Sequence, residues 1–205
     1  MTAAGNTASS NLPIEDVLVE LRAALRTQSS AILVAPPGAG KTTRVPLALL
    51  DEPWVKSGKI LILEPRRLAA RGAADRMAKT LGQQIGETVG LRARLSTKTG
   101  SKTRIEVITE GVFTRMILDD PGLSGVAAVL FDEFHERSLD ADLGLALALD
   151  SQRSIREDLR LLVMSATLDG ARVAGLLGNA PVIESQGRAF EVVTRYLGRN
   201  SSNRI

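Results

Sequence analysis

Ala35-Pro36-Pro37-Gly38-Ala39-Gly40-Lys41-Thr42 comes directly after a short apolar run, Ala31-Ile32-Leu33-Val34, and leads into a helical pattern from Thr43 to Leu50. A strand, a glycine-rich loop and a helix start are the setting in which a chain wraps the phosphates of a nucleotide. Small residues let successive backbone N–H groups turn inward toward phosphate oxygens. The helix start adds its own unpaired N–H groups and partial positive charge. Pro37, Gly38, Ala39, Gly40, Lys41, Thr42 and Thr43 are the nucleotide-contacting candidates. Lys41 would reach the β- and γ-phosphates, and the Thr42 hydroxyl would sit on Mg²⁺. Ala35 fills a position often held by glycine, a small departure in size.

A second constellation lies at Val129-Leu130-Phe131, which runs into Asp132-Glu133-Phe134-His135-Glu136-Arg137-Ser138. An apolar strand buries its body and presents the next residues at its carboxyl end, where open α/β sheets bind ligands. Asp132 is the candidate Mg²⁺ holder, partly through water. Glu133 is the candidate that orients and deprotonates an attacking water. A pair of helix-capping acids is the structural alternative. The glycine loop upstream and the strand–helix alternation around the pair favour the chemical reading. His135 is the only histidine in the chain. It stands on the same turn as Glu133, where its charge would answer to its neighbours.

These residues need a scaffold. Apolar runs at Ala31–Ala35, Lys59–Leu63, Arg104–Ile108, Val126–Phe131, Leu159–Met164 and Pro181–Glu184 read as strands. Several are nearly continuous Val/Ile/Leu, the pattern of strands covered on both faces. Helical spacing appears at Leu12–Gln28, with Pro13 in its first turn, and at Lys41–Leu50, Leu68–Leu81, Gly111–Asp119, Leu139–Gln152 and Gly170–Leu177. The alternation predicts an α/β fold: a mostly parallel sheet with helices on both faces. Residues 1–11 are small and polar and read as a flexible tail. Residues 12–198 form the predicted domain, and 199–205 a frayed end. Val192–Gly198 reads as the start of a further element.

Composition bounds the possibilities. The 205 residues suffice for one α/β domain with a real core, and with aromatics at 3% that core must be aliphatic. Cysteine is absent, which excludes a disulfide framework and thiolate metal sites and fits a reducing, cytoplasmic setting. No apolar run reaches membrane-spanning length. The net charge of +3 is only weakly basic. Its distribution is more informative. Arg92, Arg94, Lys98, Lys102 and Arg104 occur from 91 to 104 without an acid, and Arg66, Arg67, Arg71 and Arg76 form a second cluster. A charge run alone reads as solvated surface.

Taken together in order, the motifs resemble those of the superfamily 2 helicases, near the DEAH/RHA group and closest to its bacterial HrpB-type branch. Asp-Glu-Phe-His resembles the Asp-Glu-x-His signature. Glu64-Pro65-Arg66-Arg67 is similar to the group's Pro-Arg-Arg motif, Thr109-Glu110-Gly111 to its Thr-Glu-Gly motif, and Ser165-Ala166-Thr167 to its Ser-Ala-Thr motif. The resemblance implies a RecA-like P-loop NTPase domain that uses ATP and Mg²⁺ on single-stranded nucleic acid, RNA favoured. It implies that Arg66, Arg67, Thr109 and Gly111 follow the nucleic-acid backbone, that Ser165, Thr167 and His135 couple hydrolysis to movement, and that Arg76 stacks on the base. Chemistry agrees: arginine forks suit phosphate, and a helix N-terminus can bind phosphate oxygens. Ser165 and Thr167 could hydrogen-bond the Asp132 loop.

In this group a second RecA-like domain supplies Gln-Arg-x-Gly-Arg-x-Gly-Arg with an arginine finger, worth about 10³–10⁵ in rate. The sequence contains no such motif, and Gln186-Gly187-Arg188 is similar only superficially. The expectation is a first motor domain of a longer enzyme that binds ATP weakly, hydrolyses slowly and does not unwind alone. A non-helicase P-loop switch and a nucleic-acid-binding scaffold are the alternatives. A GTPase-like switch would want Asn-Lys-x-Asp, which is absent. Intact Lys41, Thr42, Asp132 and Glu133 speak against a scaffold.

Overall fold

In a computed structural model, residues 12–56, 58–167 and 170–187 are described. The 1–11 and 199–205 ends, the 192–198 element and Arg188 lie outside them. Among the described residues eight strands form one sheet: β1 (Ser30–Val34), β2 (Lys59–Glu64), β3 (Val89–Ala93), β4 (Ser96–Lys98), β5 (Ile105–Thr109), β6 (Val126–Phe131), β7 (Arg160–Ser165) and β8 (Val182–Glu184). Their order is β4-β3-β5-β2-β6-β7-β1-β8. The β3–β4 pairing is antiparallel, and the other pairings of these strands are parallel.

The helices are α1 (Leu18–Thr27), α2 (Lys41–Leu49), α3 (Arg67–Thr80), α4 (Glu110–Asp119), α5 (Leu139–Ser154) and α6 (Gly170–Leu176). Alternate strand residues feed two aliphatic layers, as the two-residue repeat of a strand requires. Leu33, Ile60, Ile62, Leu162 and Met164 join Leu21, Leu25, Val45, Leu49 and Met77 on one face. Ile32, Val34, Leu61, Leu63, Phe131 and Val163 join Phe113, Ile117, Leu145 and Val173 on the other. With both faces covered, the bodies of β1, β6 and β7 can be apolar and buried.

Register fixes the site. Val34 lies opposite both Ser165 and Glu184, Leu63 opposite Phe131, and Glu64 opposite Thr109. Every loop carrying a candidate residue therefore leaves the same, carboxyl edge of the sheet.

Two expectations are corrected. The helix over Leu12–Gln28 begins instead as a 3₁₀ turn, Pro13–Val17, before α1. The basic run at 91–104 is not simply solvated surface, because part of it holds the β3–β4 edge of the sheet. Arg92 pairs with buried Glu106 at 2.5 Å, and Lys59 approaches the same carboxylate at 3.5 Å. Arg104 donates to the carbonyls of Gly58 and Lys56. Arg92 and Arg104 thus hold strand and backbone together.

Candidate nucleotide and nucleic-acid site

The glycine loop leaves β1 and closes into α2. Gly38 and Gly40 have φ of +79° and +99°, so both occupy the left-handed region where a side chain is strained. At Gly40 space is also closed, because a Cβ there would lie 2.8 Å from Leu12 Cδ1. The loop is held from below by Ala35 N–H donating to the Ser165 carbonyl and by Ile14 N–H donating to the Ala39 carbonyl. Lys41 is buried, and its Nζ donates to the carbonyl of Ala35 at 2.6 Å and of Pro36 at 3.4 Å. A cavity of about 350 Å³ opens over the loop, lined by Leu12, Gly38, Gly40, Lys41, Thr42, Thr43, Arg76 and Glu133. The exposed Arg76 stands on α3 at the cavity's edge, a place from which its guanidinium can cover a flat group bound there.

Asp132 is 2% exposed and lies against Lys41 and the Thr42 hydroxyl. The two motifs that are far apart in sequence therefore meet. Burial pushes the Asp132 carboxyl up from its ordinary range, and Glu133 adds to that; Thr42, the Glu133 amide and Lys41 pull the other way. Asp132 Oδ1 accepts the Glu133 N–H at 2.9 Å. Oδ2 is buried and has no hydrogen-bond partner among the described residues. A buried carboxylate oxygen left open beside a threonine hydroxyl is an all-oxygen donor set, which suits a hard divalent cation. Glu133 has φ +48°, an uncommon conformation for a non-glycine residue, and its side chain lines the cavity.

Sequence reasoning missed an acid of this site. Glu64, the last residue of β2, is 3% exposed and sits against Asp132. Burial, first, and then the Asp132, Glu133 and Glu136 carboxylates push its pKa up to about 8. The signal that could have found it is an acid closing the apolar run Ile60–Leu63, one step before Pro65.

The turn after β6 is a hub. Phe134 is buried and meets Phe131 edge-on at 6.2 Å, which continues to Phe113 at 5.9 Å. His135 Nδ1 accepts the Ala166 N–H at 3.2 Å and lies 3.4 Å from a Glu133 carboxylate oxygen. This corrects the expectation for Ser165 and Thr167. The Ser165 hydroxyl bonds the Thr167 backbone at 3.2 Å and 3.3 Å instead of the Asp132 loop. The link between the two loops is the Ala166 amide, whose side chain carries no polar atom and so left no mark in the sequence.

The arginines separate. Arg66 reaches Glu136 at 2.7 Å across a cavity of about 480 Å³ that also touches Thr42, Thr43, Glu64, Arg76 and Glu133. Arg67 and Arg71 line a different groove of about 300 Å³ against Leu91, Ala93 and Ser96 of the hairpin. The Arg66–Glu136 pair is largely solvated, so it is worth about 0–1 kcal/mol and yields easily to another anion. Thr109 closes β5, and Gly111 lies in the first turn of α4. That turn is acidic: Glu110 accepts from Ser138, and burial raises its carboxyl, with Asp140, Glu136 and Asp142 adding to the shift. A phosphate at this helix start would meet those carboxylates as well as the amides.

A glycine loop, a strand-end Asp-Glu pair beside it and a mainly parallel sheet in this strand order define a RecA-like P-loop nucleotide-binding domain. The chain belongs to the DEAD/DEAH box helicase family, whose pattern matches residues 19–175. It is 56% identical to the ATP-dependent RNA helicase HrpB of Escherichia coli (strain K12), over 92% of this chain and 23% of that protein. It is 32% identical to the probable ATP-dependent RNA helicase DHR2 of Saccharomyces cerevisiae, over 91% of this chain and 26% of that protein. The crystal structure of Escherichia coli DEAH/RHA helicase HrpB superposes with a TM-score of 0.85 at 54% identity, covering 95% of this chain and 25% of that one. The chain thus spans about a quarter of the length of these relatives.

Proposed function

We propose that this chain is the first motor domain of an ATP-dependent RNA helicase, and that it binds and slowly hydrolyses ATP. The glycine-loop amides and α2's start hold the phosphates. Lys41 turns from the Ala35 and Pro36 carbonyls to the β- and γ-phosphates. Thr42 and Asp132 would hold Mg²⁺, partly through water, and the ion would supply charge neutralisation at the phosphates, where repulsion opposes the nucleophile. Glu133 orients the attacking water and takes its proton. Arg76 stacks on the base. Arg66, Arg67, Thr109 and Gly111 follow the backbone of single-stranded RNA, and His135, with the Ser165–Thr167 loop, relays the state of the site. The remaining charge on the transition state calls for an arginine from a second RecA-like domain of the same enzyme, so residues 1–205 alone hydrolyse slowly and do not unwind. A cytoplasmic location fits the cysteine-free sequence, and no described helix is long and apolar enough to cross a membrane.

One observation carries this reading: Lys41, Thr42 and the buried, unpartnered Asp132 oxygen converge at one glycine loop. Titration of a fluorescent ADP with and without Mg²⁺ tests it. The wild-type chain is expected to bind, and Lys41→Ala to bind at least about tenfold more weakly. Equal affinity in the two proteins refutes the loop assignment.

A further inference from the structure

The segment after β8 does something no motif in the sequence assigns to it. Ser185 is 6% exposed. Its N–H donates to the Val34 carbonyl at 2.8 Å, at the point where β1 gives way to the glycine loop. Its hydroxyl donates to the Pro13 carbonyl at 2.9 Å. Two residues on, Gly187 passes over Pro36 so closely that a Cβ would lie 2.2 Å from the ring Cγ and 3.3 Å from Cβ and Cδ. Gly187 has an ordinary φ, so close approach alone, and no backbone requirement, explains a glycine here.

Pro36 is not a passive neighbour. Its carbonyl and that of Ala35 are the perch of the Lys41 ammonium. From the other side the loop meets the segment that Ser185 ties down: Ile14 N–H bonds the Ala39 carbonyl, and Leu12 and Ile14 fill the space beside Gly40. The glycine loop is therefore gripped between residues 12–14 and residues 185–187, and the Ser185 hydroxyl joins the two jaws.

Resting on the reading of this loop as a nucleotide site, we propose that Ser185 and Gly187 are positioning residues for the phosphate loop. They form a strap that sets the height of Pro36, and through it the place from which Lys41 reaches the phosphates. Coupling of this kind is reciprocal: a strap that alters nucleotide affinity is itself held more firmly when nucleotide is bound.

Gly187→Ala displaces Pro36 by about 1 Å, enough to misplace a phosphate-binding group. The expected result is Mg-ADP affinity weaker by about tenfold in Gly187→Ala and by about threefold in Ser185→Ala. Ser185→Thr, which keeps the hydroxyl, retains wild-type affinity. Gly175→Ala on α6, where a Cβ meets nothing, is the unaffected control. The urea midpoint without nucleotide shows that each variant is folded under the binding conditions, so that a weaker affinity reads the loop and not unfolding. Pro36→Ala removes the ring atoms that Gly187→Ala strikes, so the double variant is expected to bind as Pro36→Ala does alone. Amide exchange at residues 185–187 is expected to slow when ADP is added. Wild-type affinity in both Gly187→Ala and Ser185→Ala, or the same affinity loss from Gly187→Ala with and without Pro36→Ala, overturns the strap. A wild-type chain that binds no ADP overturns the nucleotide-site reading itself, a distinct outcome.

Discussion

Glu64→Gln should change the pH dependence of stability in a way that no surface acid would. Glu64 carries a pKa pushed from 4.5 up to about 8 by burial and by its acidic neighbours. The unfolded chain releases this proton near 4.5, whereas the folded chain keeps it until about 8. Between those values the folded state holds one more proton, so stability falls as pH rises. One proton corresponds to about 1.4 kcal/mol per pH unit, which gives a ceiling of about 5 kcal/mol over the whole window. That is a large share of the roughly 5–15 kcal/mol that holds a domain folded. Buried Asp132, also raised, adds in the same direction. Glutamine keeps the shape and a donor toward Asp132 without a charge to desolvate, and it removes one like charge from Asp132 itself. Urea unfolding in EDTA, followed by circular dichroism from pH 5 to 8.5, reads the difference, and groups remote from Asp132 and common to both proteins cancel. The wild type is expected to lose stability toward pH 8 and Glu64→Gln to lose far less. Parallel profiles, or a wild type that gains stability across this window, would refute the account of the acid cluster.

Glu133→Gln is expected to retain Mg-ATP binding while single-turnover hydrolysis falls by about 10²-fold or more, the usual share of a general base; undiminished turnover excludes Glu133 from that role. Replacing Arg66 and Arg67 together by alanine is expected to weaken binding to single-stranded RNA and to lower the slope of log affinity against log salt by about 1 to 1.5, as two lost phosphate contacts require. A slope equal to the wild type's would move the RNA track elsewhere.

Much of this fold is legible from apolar runs, because strands buried on both faces leave nearly unbroken Val/Ile/Leu stretches. Each run read as a strand overlaps one, at β1, β2, β5, β6, β7 and β8, to within a residue or so at either end. The β3–β4 hairpin was hidden for the opposite reason. Arg92 neutralises Glu106 inside the sheet edge, so a strand residue carries a charge and reads as surface. Lys41, Thr42, Asp132 and Glu133 were visible through spacing, since a glycine loop and a strand-end acid pair each need several residue types at fixed offsets. Glu64 and Ala166 were not. Glu64 acts through burial, which a single acidic letter does not report, and Ala166 acts through its backbone amide. The Ser185–Gly187 contact depends on a chain segment crossing another that lies far earlier in the chain, at Pro13 and Pro36, which no local pattern encodes.

The turn from Asp132 to Ser138 shows how a short stretch can communicate among separate loops. Phe134 anchors it in the aromatic row under the sheet. With that pivot fixed, His135 reports to the loop after β7 through Ala166, Glu136 to the start of α3 through Arg66, and Ser138 to the start of α4 through Glu110. Glu133, near the head of the same turn, faces the cavity over the glycine loop with a backbone conformation that side-chain-bearing residues rarely hold. These links differ in strength. The Ala166 and Ser138 bonds are partly buried, while Arg66–Glu136 is open to solvent and easily broken. If Arg66 takes up RNA phosphate as proposed above, this is the contact a polyanion would break first, and breaking it would free Glu136, the next residue after His135 on the turn that also carries Glu133.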